Sequence, residues 1–300
     1  MSPTDRLKGI ATFVSVANAG SFTAAAERLY LSNSAVSKSV ARLENRLGMR
    51  LFERTTRSLA LTEAGATYYG VCTRILEDLE DAETVLAAQR AEPSGTLRID
   101  LPTSYGRLQV LPLILAFAAQ HPKLRPNVSF TDRFVDLLEE GIDLAVRIGG
   151  QDIWPAAVGH RCLGQECLVF CAAPDYLARH GTPTTTEALA DHASVLYGKA
   201  DGSVSPWLFA EGVEQSPPGA TRMVLGNGEA QMAAVCAGYG IAQLATWLIK
   251  EQLQRGELVV ILPHLATQGL TLYLAWPRSR ESLPKVHTLV AQLSAVLTVK

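Results

Sequence analysis

The chain is poor in the features that mark secreted, membrane-bound or metal-dependent proteins. Its five cysteines, Cys72, Cys162, Cys167, Cys171 and Cys236, are odd in number and form no CxxC pair, which excludes a disulfide framework or zinc site and predicts reduced thiols. Cys162, Cys167 and Cys171 lie close together in strand-like sequence and are expected as small buried apolar side chains. The six histidines, His121, His160, His180, His192, His264 and His287, show no metal-ligand spacing. No GxSxG elbow appears and no nucleophile–base pair can be placed, so neither an enzyme nor a bound metal or cofactor is expected. No stretch approaches the roughly 18 apolar residues that span a bilayer. The opening Met1-Ser2-Pro3-Thr4-Asp5-Arg6 leads into an amphipathic pattern without a secretory apolar core, so a cytoplasmic protein with no membrane partner is expected. A dominant charge is missing too: 27 basic against 29 acidic residues give a net charge of −2. With 48% hydrophobic and 19% charged residues over 300 positions, whole-chain disorder and a coiled-coil rod are excluded, and two or three domains with full cores are expected.

The near-neutral average conceals an asymmetry. Up to Thr62 the basic residues Arg6, Lys8, Arg28, Lys38, Arg42, Arg46, Arg50, Arg54 and Arg57 face only Asp5, Glu27, Glu44 and Glu53. A basic head on an acidic body points to a polyanionic partner for the head alone.

Within that head, Leu7, Ile10, Phe13, Val14 and Ala17 recur at helical spacing over 5–19 and stop at Gly20. Ser21 is placed to cap a short helix over 22–29, and Ser32 a third helix ending at Gly48, whose inward stripe is Val36, Val40, Leu43 and Leu47. The opposite face then presents Asn33, Ser34, Ser37, Lys38, Ala41 and Arg42. Two short helices joined by a tight turn, the second with a small, polar and basic outer face, predict a helix-turn-helix that enters a DNA major groove. Asn33 suits an adenine edge, Lys38 and Arg42 suit guanine or phosphate, and Ser32, Ser34 and Ser37 permit close approach. Residues 51–62 follow as two short strands around a basic tip, a wing that would lay Arg54 and Arg57 along the flanking backbone or minor groove. Thr62 opens a long helix to about residue 90 with Tyr68, Cys72, Ile75, Leu79, Ala82 and Leu86 in four-three alternation, a weak dimer seam. Two copies would present two reading heads to a partly palindromic site.

Ser21-Phe22-Thr23-Ala24-Ala25-Ala26-Glu27-Arg28-Leu29, Ser32-Asn33-Ser34-Ala35-Val36-Ser37-Lys38, Leu43-Glu44-Asn45-Arg46-Leu47-Gly48, Leu51-Phe52-Glu53-Arg54 and Leu61-Thr62-Glu63-Ala64-Gly65 together closely resemble the LysR-type transcriptional regulators. Asn33 stands where that family often has Gln, and Lys38 where Arg is common. The resemblance implies an α/β protein overall: a mostly helical winged head over 1–62, a linker and dimerisation helix over 63–92, and a two-lobed α/β effector domain of the periplasmic-binding-protein type. One lobe would comprise 95–163 plus 267–300 and the other 164–266. It further implies promoter DNA, a small-molecule effector, a second copy or a tetramer, and RNA polymerase as partners.

Beyond Pro93-Ser94-Gly95 the pattern alternates strands and helices, which argues for parallel sheets with ligands at the strands' carboxyl ends. Strands are expected at 96–101, 127–131, 143–148, 167–172, 240–244 and 270–276, and helices at 107–120, 134–140, 229–237 and 283–298. Crossings near Gly164 and Leu265 would make a hinged clamp. Arg-Phe-Val-Asp-Leu at 133–137 and Asp-Leu-Ala-Val-Arg-Ile-Gly at 143–149 resemble one subgroup of the family, while Leu244-Ala245 stands where Leu-Pro is common. Thr103 and Ser104, and Asn227 and Gly228, sit at strand ends before helices, where they suit an anion or plain capping equally. Asp132, Arg147, Tyr197 and Lys199 are the other polar groups expected in the cleft, with Arg147 paired to Asp132 or Asp136. This set favours an anionic effector. The competing function is a cytoplasmic small-molecule-binding protein whose basic head binds DNA without sequence preference.

Overall fold

Glycines and hydroxyls divide the N-terminal unit, residues 1–91, into its elements. The computed structural model describes residues 9–54, 59–87, 92–150, 154–199, 201–209 and 213–297. Helix α1 (Ile10–Ala19) ends at Gly20, whose φ of +61° favours a residue without Cβ. Helix α2 (Phe22–Arg28) starts at Ser21, whose Oγ accepts from the Ala24 N–H. Helix α3 (Asn33–Leu47) starts at Ser32, whose Oγ accepts from the Ala35 N–H at 3.2 Å, and stops at Gly48. Between α2 and α3 the chain turns at Tyr30 (φ +54°), and the Leu31 N–H donates to the Ala26 carbonyl at 2.9 Å. That is a Schellman closure with a tyrosine where glycine is usual.

Val36, Val40 and Leu43 of α3 are buried, but Leu47 is not part of the stripe's interior and is exposed. The core gathers them with Ile10, Phe13, Val14, Val16, Leu51 and Phe52, and the Phe13 ring lies 5.3 Å from Phe52 and 5.7 Å from Tyr68. Strand β1 (Phe52–Arg54) pairs antiparallel with β2 (Leu59–Leu61), setting Phe52 opposite Leu61. The wing tip with Arg57 lies outside the described residues, as do residues 5–8 of the first expected helix and the end of the linker helix beyond 87. Helix α4 (Glu63–Ala87) begins where Thr62 Oγ1 accepts from the Gly65 N–H at 2.9 Å. The expected seam divides: Cys72 is fully buried and Tyr68 packs into the head's own core, whereas Ile75 and Leu79 remain exposed beside Val71. The reason is geometric, since the first turns of α4 lie against α1 and close the head.

The C-terminal unit, residues 92–300, is two-lobed and organised by one seven-stranded sheet. Strand β3 (Gly95–Leu101) lies between β4 (Leu124–Phe130) and β5 (Leu144–Ile148), parallel to both. Next come the long antiparallel strands β13 (Thr267–Pro277) and β6 (Val158–Ala172), then β11 (Ala242–Ala245), with β12 (Val259–Ile261) also on β6. Only part of the sheet is therefore parallel. Of the two crossings expected near Gly164 and Leu265, the first lies within β6 and the second follows a single 3-10 turn (Pro263–Leu265) into β13, and these two strands pair with each other, with register shifts at Gln268/Thr271 and Leu272/Tyr273. A smaller parallel pair, β7 (Ser194–Tyr197) with β10 (Thr221–Leu225), and the short antiparallel pair β8 (Trp207–Leu208) with β9 (Glu214–Gln215) complete the strands.

Helix α5 (Thr103–Tyr105) continues through a π-helical stretch (Gly106–Val110) into α6 (Leu111–Gln120). Then come α7 (Pro174–His180), α8 (Gly228–Cys236), α9 (Thr246–Arg255) and α10 (Pro284–Val296). α10 returns to the first lobe, where Val286, Leu289 and Leu293 pack with Leu97, Ile99, Leu101 and Phe117. The expected helix over 134–140 is absent. Asp136 Oδ1 instead accepts from the Leu138 and Glu139 N–H groups at 2.9 and 3.0 Å, and the single turn ends at Gly141 (φ +67°). A side chain that satisfies those amides locally leaves no ladder to propagate. Of the three neighbouring cysteines, Cys171 is buried and Cys167 half-buried, but Cys162 is exposed, because β6 turns it to the face opposite buried Leu163.

Candidate functional site

The N-terminal turn of α3, which begins its outer face, is tied by side-chain hydrogen bonds. Ser32 is both the helix cap and a partner of Ser34, their hydroxyls 3.0 Å apart. Asn33 Nδ2 donates to Thr23 Oγ1 on α2 at 3.1 Å, so the amide is oriented by the preceding helix. Asn33, Ser34, Lys38 and Arg42 are exposed and Ser37 is half-buried. Lys38 and Arg42 are four residues apart and therefore share a face. Two supporting residues escaped sequence reasoning. Thr23 is one. Glu44 is the other: its Oε1 accepts from the Leu51 and Phe52 N–H groups at 2.8 and 3.2 Å, fixing the start of the wing to the helix that precedes it. Neither contact has a local signal, since the partners lie seven to ten residues away on another element.

In the second unit a cavity of about 490 Å³ opens at the carboxyl ends of β3, β4 and β5. In the order β4-β3-β5 the chain leaves β3 for β4 on one side and then passes from β4 to β5 on the other side of β3, and the switch point so formed leaves a crevice beyond the strand ends. Six of the eight predicted residues line it: Ser104, Asp132, Arg147, Tyr197, Lys199 and Gly228. Thr103 and Asn227 do not. The Thr103 N–H donates to Asp132 Oδ1 at 2.8 Å, and Asn227 Oδ1 accepts from the Ala230 N–H at 3.0 Å as the cap of α8. Asn227 also reaches Ser104 Oγ from across the cleft at 3.5 Å. The remaining lining is largely apolar and aromatic, with Tyr105, Phe134, Trp207, Leu248, Leu270 and Trp247 prominent. The Tyr105 and Trp247 rings meet edge-on at 5.0 Å, one from each lobe.

Arg147 is buried and pairs with neither Asp132 nor Asp136. Its Nη2 donates to Asp100 Oδ1 at 2.5 Å and its Nη1 to the Val146 carbonyl at 2.7 Å. Asp100, also bonded by Ser129, sits on the neighbouring strand β3 and is as deeply buried as the guanidinium. Glu166 on β6 was not anticipated at all. It is 7% exposed and accepts from Trp247 Nε1 at 2.8 Å and from the Leu270 backbone N–H, yet burial holds its carboxyl above the ordinary range. Burial, and then the nearby Glu166 charge, push the Tyr105 phenol up to about 12. Tyr197 is raised by burial and then by Asp132. At the mouth, Arg107 donates from Nε and Nη2 to the two carboxylate oxygens of Glu229, joining the lobes. Among the described residues no group of histidine, cysteine and carboxylate side chains could hold a metal ion, and no helix is long and apolar enough to cross a membrane.

A winged helix-turn-helix followed by a two-lobed domain with a cavity at its strand ends defines a class: regulators that read DNA with one unit and bind a small molecule with the other. Comparison with known proteins narrows the class. Residues 7–66 match the bacterial regulatory helix-turn-helix of the lysR family, and residues 90–298 the LysR substrate binding domain. An uncharacterised transcriptional regulator of Haemophilus influenzae is 35% identical over 94% of this chain and 97% of its own. The solved structure of CrgA, a LysR-type transcriptional regulator from Neisseria meningitidis, superposes with a TM-score of 0.60 at 30% identity over the full length of both chains. Full-length AphB of Vibrio cholerae shares the fold at a TM-score of 0.59. The chain belongs to the LysR family of transcriptional regulators, which are not enzymes.

Proposed function

We propose that the protein reads promoter DNA through Ser32, Asn33, Ser34, Ser37, Lys38, Arg42, Arg54 and Arg57, and that a small molecule held between the lobes changes how it does so. The observation that carries this reading is the cavity ringed by Ser104, Asp132, Arg147, Tyr197, Lys199 and Gly228 in a chain that also presents an ordered polar helix face. The assignment takes 1–62 as the reading head, 63–92 as linker, and 95–163 with 267–300 and 164–266 as the two lobes. The protein acts in the cytoplasm as a dimer or tetramer, which places two heads on a partly palindromic site, and contacts RNA polymerase when it activates. An anionic effector would rely on Lys199, since Asp100 neutralises Arg147; Asn227 contributes as the cap of α8, and Thr103 through the N–H that Asp132 accepts, rather than through the lining.

Footprinting on the intergenic DNA upstream of the gene, at fixed salt and with excess unrelated DNA, tests the head. Asn33→Ala should relax preference at one base position at a cost of about 1–3 kcal/mol, whereas Arg54→Ala should weaken all sequences alike and reduce the salt slope by about one. Equal losses on every sequence for both variants would leave only a non-specific basic head.

A further inference from the structure

The charge of the cleft lining is unusual for a site expected to take an anion. Among the described residues its carboxyl groups are Asp132, Glu166 and Glu214, and its cations are Arg147 and Lys199. Arg147 is committed to Asp100 and to a backbone carbonyl. Lys199 is exposed, and Asp201 lies close enough to feel its charge. Among these described groups an anion would meet three carboxyls with the Lys199 ammonium to hold it, in surroundings where apolar walls strengthen like-charge repulsion. Glu166 is the deepest of the three. Its two N–H partners, from Trp247 and Leu270, leave further acceptor capacity on a carboxylate that offers about four lone-pair sites. A buried carboxylate of this kind gains most from a donor that also carries positive charge. Beside it stand Tyr105, Trp247, Leu248 and Leu270, surfaces suited to a flat or alicyclic body and, for the two aromatics, to a cation over a ring face.

Resting on the reading of this cavity as the effector site, we propose that the effector is an amphipathic molecule with an apolar ring and a protonated nitrogen, and that Glu166 is the residue that selects it. Its ammonium donates to the Glu166 carboxylate while its ring lies against Tyr105, Trp247 and Leu248. Glu166 thereby sets specificity by charge, and the indole N–H of Trp247 and the Leu270 amide hold the carboxylate in place.

The test uses the full-length protein and two sets of matched probes, tryptamine, 3-indolepropionate and tryptophol, and phenethylamine, 3-phenylpropionate and 2-phenylethanol. Binding is measured calorimetrically at constant ionic strength. The amines should bind at least tenfold tighter than the carboxylates of the same ring, Glu166→Gln should remove most of that gap, and Ser205→Trp, which fills the cavity from its rim, should abolish binding of every member. Carboxylates that bind as tightly as the amines, or an amine preference untouched by Glu166→Gln, would overturn the charge assignment while leaving the cleft as the site. Binding unaffected by Ser205→Trp would overturn the cleft reading itself. Failure of all six probes to bind would overturn the proposed ligand class. A thermal melt of Glu166→Gln that stays cooperative separates loss of selectivity from loss of fold.

Discussion

At Gly65 the first turn of α4 passes so close to Leu51 that a Cβ would occupy the space of that residue's carbonyl oxygen. Backbone cannot step aside as a long side chain can, so Gly65→Ala is expected to lower the head's stability by about 1–3 kcal/mol, seen as a lower urea midpoint with an unchanged slope. Asp100 is the corresponding point in the second unit. Asp100→Ala would strand the buried Arg147 guanidinium, at an expected cost of about 3–5 kcal/mol; a melting temperature equal to that of the wild type would show that Arg147 finds another acceptor. Glu166 predicts a pH dependence. Its carboxyl is held above the ordinary value near 4.5, so the folded state binds the proton more tightly than the unfolded chain. Stability from this group is complete below that value and falls as pH rises through the folded-state pKa. Glu166→Gln should consequently melt higher than the wild type at neutral pH, with the difference closing as pH falls toward 4.5. None of these three roles was legible from sequence. Gly65 is 14 residues from Leu51, Asp100 is 47 from Arg147, and Glu166 is 81 from Trp247, distances at which periodicity and capping rules carry no information.

The elements of the head, by contrast, are written in short-range chemistry. Ser21, Ser32 and Thr62 cap the helices they precede, Gly20 and Gly48 end those before them, and Val36, Val40 and Leu43 form the inward stripe. Ser32→Ala should remove one cap and the contact to Ser34, lowering head stability by roughly 1 kcal/mol by chemical denaturation. Where Asp136 or the sharing of strands intervenes, local rules fail: a single Asx-capped turn reads as a helix over 134–140, and the expected strands over 167–172 and 270–276 are fragments of β6 and β13. Strand positions were found because apolar runs mark them. Their length and partners were not, because pairing is decided by residues a hundred positions apart. The cleft was legible to the extent that strand ends announce it, which located Ser104, Asp132, Arg147 and Gly228 while leaving the far wall, Glu166 and Trp247, unseen.

For the effector-binding unit as a whole, polar contacts join the lobes at the mouth. Arg107 and Glu229 close it from the outside, with Asn227 and Ser104 behind them. The Arg107 side chain is more than half exposed, so Arg107→Ala should change stability by less than about 1 kcal/mol. It should nevertheless increase hydrogen exchange at the π-helical stretch Gly106–Val110 and the first turn of α8, because Arg107 sits on one and Glu229 on the other; unchanged protection there would mean that Tyr105 and Trp247 hold the lobes without it.

The lobes also share β6 and β13, which remain hydrogen-bonded partners from Thr267–Leu168 at one end to Pro277–Val158 at the other. A pair of slack linkers would let the halves swing apart freely; a continuous ribbon resists, as a leaf spring does, and yields where its register shifts, around Gln268 to Tyr273. On the effector reading proposed above, small deflections would carry a restoring force, and a molecule wedged above the bend would be read as tension in the ribbon rather than as the shutting of a door.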